Sequence, residues 1–182
     1  MNIFVLSNDP VNSAKAHCDK HITKMILETA QLLCTCLRVN NIEYGYKSTH
    51  QNHPACIWAR SSVANFEWLK QLGLALGDEF VLRYGHAHKS AAVIRNTPNL
   101  PVCSLVLTPF IQAMPDEYKN DDVVKAYRAY YRGDKFKKNL LRYTNREPPE
   151  WLNMKFEVKI SGQNIVYTAL NYSEHNEYDW ST

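Results

Sequence analysis

Between Ala14 and Arg38 apolar side chains return at three- and four-residue steps: Cys18, Ile22, Met25, Thr29, Leu32, Leu33 and Cys36. That spacing puts them on one stripe of an amphipathic helix, and a fold has to be built around covering it. Asp9-Pro10 supplies a start signal just upstream, an oxygen cap followed by proline in the first turn. Residues 2–7 (NIFVLS) are too short for more than a buried N-terminal strand or lead-in.

A second long helix is expected from Pro54 to Tyr84, closed by Gly85 and patterned in its second half by Leu69, Leu72, Leu76 and Phe80. Its first half mixes small residues (Ala59, Ser61, Ser62, Ala64) with Trp58, Arg60, Asn65 and Trp68, which would let another backbone approach closely. The segment NNIEYGYKSTHQNHP between the two reads as a loop. A short helix is expected over 88–95. Pro98, Pro101 and Pro109 make 96–109 a connector, and DDVVKAYRAYYR predicts a helix over 121–132 with an aspartate cap. In FEVKISGQNIVYT, Phe156, Val158 and Ile160 alternate before a turn-forming Ser161-Gly162-Gln163-Asn164. The expected architecture is mainly α: a compact single-domain helical fold, with 1–154 as the catalytic or binding domain and 155–182 as a small C-terminal β-hairpin or extended arm.

With 45% apolar residues the 182-residue chain can bury a real core, yet it has no run long enough to span a membrane. The start MNIFVLSNDP lacks the basic region of a signal peptide. Five cysteines, an odd number without a CxxC pair, fit small buried thiols in a reducing, cytoplasmic compartment. Net charge is +3, but residues 132–146 carry Arg132, Lys135, Lys137, Lys138, Arg142 and Arg146 against Asp134 alone. Such a cluster points to a local anionic partner. The last ten residues lean acidic through Glu174, Glu177 and Asp179.

Four constellations carry chemistry. On the first helix His17, His21, Lys24 and Glu28 share a face bordering the apolar stripe, where partial burial shifts pKa values; an exposed Lys24–Glu28 pair is the plain alternative. In THQNHPACIWARSSVANFEW, His50, Asn52 and His53 precede a proline-started helix bearing Arg60 and Asn65, which suits an anion at a helix N-terminus; simple capping is the alternative. His86, His88 and Lys89 follow a helix end, where the dipole alone favours cations. AYRAYYRGDKFKK interleaves Tyr127, Arg128, Tyr130, Tyr131 and Arg132 with further cations, a mixture that neutralises phosphates and stacks on bases; a helix whose tyrosines face the core while its charges face water is the alternative, though it does not explain the basic charge continuing to Arg146. The seven histidines raise a metal question, but no HExxH pattern or sufficient acidic partners accompany them. No metal or other cofactor is expected.

In this order the pieces resemble the endonuclease V class of pyrimidine-dimer DNA glycosylases: an N-terminal helix with central Glu28, a long helix ending in RYG, then MPDEYKNDD and AYRAYYRGDK. The resemblance covers patches of residues 1–138. DKHITKMILETAQLL and NHPACIWAR also look like an uncharacterised phage-type protein family, which implies no activity. The glycosylase resemblance implies a helical protein that bends DNA, flips a nucleotide and attacks the sugar C1′ with an amine to give a Schiff base, assisted by a glutamate, for which Glu28 stands. That class uses the α-amine exposed when the initiator methionine is removed before a small residue. Here Asn2 follows, so the amine of Met1, or Lys20 or Lys24, takes that place.

The resulting expectation is a DNA- or nucleotide-acting enzyme, most concretely a base-excising glycosylase with an AP-lyase step. Glu28, Lys24 and His21 would be catalytic; His50, His53, Arg60, Asn65, Lys89, Tyr127, Arg128 and Tyr131 would bind nucleic acid or phosphate. A non-catalytic nucleic-acid or nucleotide binder and a histidine-liganded metal phosphohydrolase are the rival readings.

Overall fold

A computed structural model describes residues 1–101 and 104–170. Among these, six α-helices and a three-stranded sheet form a mainly helical fold with a small β part. The expected helix over 14–38 is two: α1 (Pro10–Ala16) and α2 (Asp19–Val39). Asp9 Oδ1 accepts from Asn12 N at 2.7 Å to cap α1, and extended backbone at His17 and Cys18 breaks the run. The break lets α1 turn and pack on α4 while α2 continues the core stripe.

The helix expected from Pro54 to Tyr84 is also divided, into α3 (Pro54–Arg60) and α4 (Val63–Tyr84). Ser62 is extended (φ −152°, ψ 143°) and its Oγ accepts from Ala64 N at 3.1 Å, starting α4 afresh. α4 ends at Gly85 in the left-handed region, φ 74°. The small residues of the first half admit another backbone, residues 104–106, whose Ser104 O accepts from Val63 N at 2.7 Å; a close helix approach lies further on at Gly73, where a Cβ would meet Thr29 Cγ2 at 2.6 Å and Ile94 Cδ1 at 2.9 Å. α2, α4 and α5 (Lys89–Arg95) therefore meet with little room between them.

Residues 2–7 form no strand. Ile3 to Leu6 run as a buried extended lead-in, with Leu6 N donating to Ser13 Oγ and that hydroxyl donating to Phe4 O. After the connector, α6 (Val123–Tyr130), capped by Asp122, continues through a π-helical segment at Tyr131–Lys135. The sheet holds one strand more than the expected hairpin. β1 (Arg142–Thr144) pairs antiparallel with β3 (Asn164–Ala169), which pairs with β2 (Phe156–Ser161), giving the order β1-β3-β2. β1 arises inside the basic stretch and buries Tyr143 completely. The sheet thus spans the expected boundary at 154/155; the remainder of the arm, 171–182, with the acidic residues, lies outside the described residues, as does Cys103. Among the described residues no helix is long and apolar enough to cross a membrane.

Candidate active site

Glu28 is only 8% exposed, and its neighbours come from the chain's first residues. Asn2 N donates to Oε2 at 2.9 Å, and the Met1 amino group lies 3.8 Å from the same oxygen. Lys24, one helical turn back, reaches Oε1 at 3.4 Å with its side chain largely in water. The Asn2 side chain fixes this arrangement: Nδ2 donates to Ala113 O at 2.9 Å, and Oδ1 accepts from Ile3 N and from the buried Tyr127 hydroxyl. Tyr127 Oη also accepts from Ala113 N at 3.3 Å. Segment 111–113 therefore braces the N-terminal residues against Glu28. Sequence reasoning read Asn2 only as an awkward successor to Met1, because nothing local shows that its amide would find a carbonyl on Ala113.

His53 belongs to the same neighbourhood. Burial chiefly lowers its pKa; the positive N-terminal amine and His50 lower it further, while Glu28 opposes them. Its Nδ1 accepts from Ala55 N at 3.1 Å, so the neutral ring carries its proton on Nε2. The same bond corrects the anion site expected at this helix N-terminus: the ring occupies the cap, and α3 offers no free N–H cradle there. His50 sits exposed in a left-handed conformation (φ 50°) with its ring on Thr49 Oγ1.

His21 is set apart in an adjoining buried cluster. Its Nδ1 shares a 2.5 Å hydrogen bond with Tyr131 Oη, and its ring lies 4.4 Å from that of Phe4. Burial drives its pKa well below the usual imidazole value, with His17 and Lys135 next in effect. His17, wholly buried, falls to about 4, mainly by desolvation, against a raising hydrogen bond to Ser13 O. These histidines are neutral.

The aromatic–basic segment is mostly inward-facing, which corrects its reading as a stacking surface. Tyr127 and Tyr131 are fully buried, so neither ring is open to a base. Arg128 Nε donates to Leu6 O, and its guanidinium lies 5.1 Å from the Trp151 ring. Asn65, also fully buried, bonds to Trp58 O and to Thr108 rather than facing phosphate. Much of the 132–146 charge is paired within the fold: Lys135 and Lys138 to Asp134, Arg142 to Asp19, Arg146 to Glu79. Arg60 Nη1 donates to Gln51 O at 2.6 Å and lies 3.3 Å from Cys56 Sγ. Lys89 opens α5 beside His88, whose ring contacts Phe80.

A groove of about 1040 Å³ lined by Phe136, Leu152, Phe156 and Tyr167 lies beneath the hairpin and includes none of these groups. Among the described residues no three His, Cys, Asp or Glu side chains gather as a metal-binding set. The arrangement around Glu28 can hold an amine beside a carboxylate with a neutral imidazole near both, which is equipment for imine and proton-transfer chemistry.

The family model for pyrimidine dimer DNA glycosylase matches residues 1–92, half of the chain and the half that contains Met1, Asn2, Lys24, Glu28 and His53. No curated protein and no solved structure matches the chain.

Proposed function

The chain belongs to the pyrimidine dimer DNA glycosylase family, and from that premise we propose that it excises a damaged pyrimidine from DNA through an α-amine nucleophile assisted by Glu28. One observation carries the reading: a main-chain nitrogen at the start of the chain lies against a buried carboxylate, with Met1 N at 3.8 Å and Asn2 N at 2.9 Å from Glu28 Oε2. If Met1 is retained its amine is the nucleophile; if it is removed, the nitrogen of Asn2 becomes the amine and is already in contact.

An α-amine suits the task better than a lysine because such groups titrate near about 8 rather than about 10.4, leaving more of the free base at neutral pH. The N–C1′ bond forms as the C1′–N bond to the base breaks, the bonding pair leaving with the base, which takes up a proton. Opening of the sugar ring gives an imine. Loss of a C2′ proton then expels the 3′ phosphate, the AP-lyase step. Glu28 is suited to stabilise the developing sugar cation and to carry the protons moved in ring opening and elimination. His53 through Nε2–H, with Lys24 and Arg60, would meet the phosphates on either side.

Borohydride trapping on an oligonucleotide with an abasic site, followed by peptide mass mapping, tests this. The expected adduct lies on the N-terminal peptide, and the intact mass tells whether Met1 is present. An adduct on the Lys20–Lys24 peptide would relocate the nucleophile. Base release from a dimer-bearing duplex without an adduct at the abasic site would remove the lyase step, and binding to both with neither would favour the non-catalytic reading.

A further inference from the structure

The order β1-β3-β2 makes β2 (Phe156–Ser161) an edge of the sheet, its outer side without a strand among the described residues. Its backbone groups divide between the two sides. Leu170 N donates to Lys155 O at 3.0 Å, and the same register sets Glu157 opposite Thr168 and Lys159 opposite Val166. Bonded residues alternate along an antiparallel pair, so Lys155, Glu157 and Lys159 turn their N–H and C=O groups to β3. Those of Phe156, Val158 and Ile160 therefore point outward, a template for another strand.

The side chains along this edge fit a particular partner. Val158 and Ile160 are 55% and 81% exposed, and Ile165, opposite Ile160 on β3, is 43% exposed. Val158 also lines the groove with Phe156 and Tyr167, so the apolar strip continues that groove. On the other face of the strand Glu157 and Lys159 lie 3.1 Å apart, both exposed. A lysine alone on an edge repels a like strand. A glutamate two residues before it makes the edge complementary to itself.

We propose that β2 is the seat of a two-fold dimer, in which the β2 strands of two copies pair antiparallel about Val158 and join the two sheets into one. Registers centred on Glu157, Val158 or Lys159 all bring outward groups to outward groups, and charge separates them. Centring on Glu157 sets glutamate against glutamate, and centring on Lys159 sets lysine against lysine; like charges directly opposite are destabilising. Centring on Val158 sets Glu157 of each copy opposite Lys159 of the other. These are non-hydrogen-bonded pairs, in which the side chains sit closer. The same register bonds Val158 to Val158, and Phe156 to Ile160, through their outward backbone groups. Exposed Ile160 thereby comes beside Phe156, at the groove of the second copy. Each β2 edge is used once, and the opposite edge, β1, is only three residues long, so pairing closes at two copies. One strand pair with its flanking side chains is a small interface, at or below about 1,200 Å², and the dimer is accordingly reversible. This assembly goes beyond the glycosylase reading and does not depend on it.

Sedimentation equilibrium of the full chain across a wide concentration range tests it, and a monomer–dimer equilibrium is expected. Glu157→Lys and Lys159→Glu each set like charges opposite one another. Each is expected to weaken self-association at least tenfold while the melting temperature stays put, because both side chains stand in water. Mixed in equal amounts, the two single variants carry opposite charges on β2 and are expected to form a heterodimer at least as tight as the wild-type dimer. The double variant Glu157→Lys/Lys159→Glu is expected to recover self-association. A wild-type monomer at every concentration, single variants that associate as the wild type does, or a mixture that stays monomeric would overturn the proposal. Growth beyond the dimer would overturn it too, since a pairing that uses each β2 edge once has to stop at two.

Discussion

Asp19 and Glu28 stand on the same helix and are equally buried, each 8% exposed, yet they are partnered differently. Asp19 accepts from Thr144 N at 3.0 Å, Thr144 Oγ1 at 2.8 Å and the buried Arg83 Nη1 at 3.0 Å. Arg83 also reaches Glu79, which holds Arg146. Those partners are fixed by α4 and β1, so the cluster joins helices to sheet. Glu28 instead meets the first two residues of the chain and a lysine that extends into solvent. Burial alone does not mark a carboxylate for chemistry; the freedom of its partners does.

The largest effect that would break this contrast is on activity. Glu28→Gln keeps an oxygen for Asn2 N but removes the charge, and excision is expected to fall roughly 100- to 10,000-fold with little change in melting temperature. Rates on lesion-bearing duplex, set beside thermal unfolding, check it; full activity would reduce Glu28 to an anchor for the N-terminal residues. Asp19→Ala is expected to do the reverse. It removes one of the two carboxylates that Arg83 meets and both acceptors of Thr144, and should cost about 3–5 kcal/mol of stability, read by denaturant unfolding, while the turnover of molecules that remain folded stays within a few fold.

The smallest effect concerns pH at the Asp19 end. His17 titrates near 4 when folded against about 6.5 unfolded, so the folded state resists taking up its proton. Its contribution is complete above pH 6.5 and is lost as pH falls toward 4, on the order of 3 kcal/mol in all. His17→Phe should flatten the stability profile across that window. An unchanged slope would assign the acid sensitivity elsewhere.

Periodicity made the helical class legible, because side chains three and four residues apart share a face whatever the rest of the fold does. It did not show the breaks at Cys18 and Ser62, since the apolar spacing runs on through both while the backbone turns. Glu28 and Lys24 were legible as neighbours because helix geometry alone pairs them. The tyrosines of α6 were misjudged for the matching reason: an aromatic among cations reads alike whether its ring faces water or the core.

By itself the sequence determined the local terms: which segments are helical, where Asp9, Asp122 and Gly85 start or stop them, and that α2 carries charge beside its apolar stripe. These depend on residues a few positions apart, so short-range sterics and hydrogen bonding settle them. Tertiary structure alone decided which charges are absorbed and which are left available. Arg146 finds Glu79, Arg142 finds Asp19, and Asn2 finds Ala113 across separations that no spacing encodes. Long-range pairing follows from how the packed helices and sheet bring distant residues together, and here it leaves the nitrogens at the start of the chain beside Glu28.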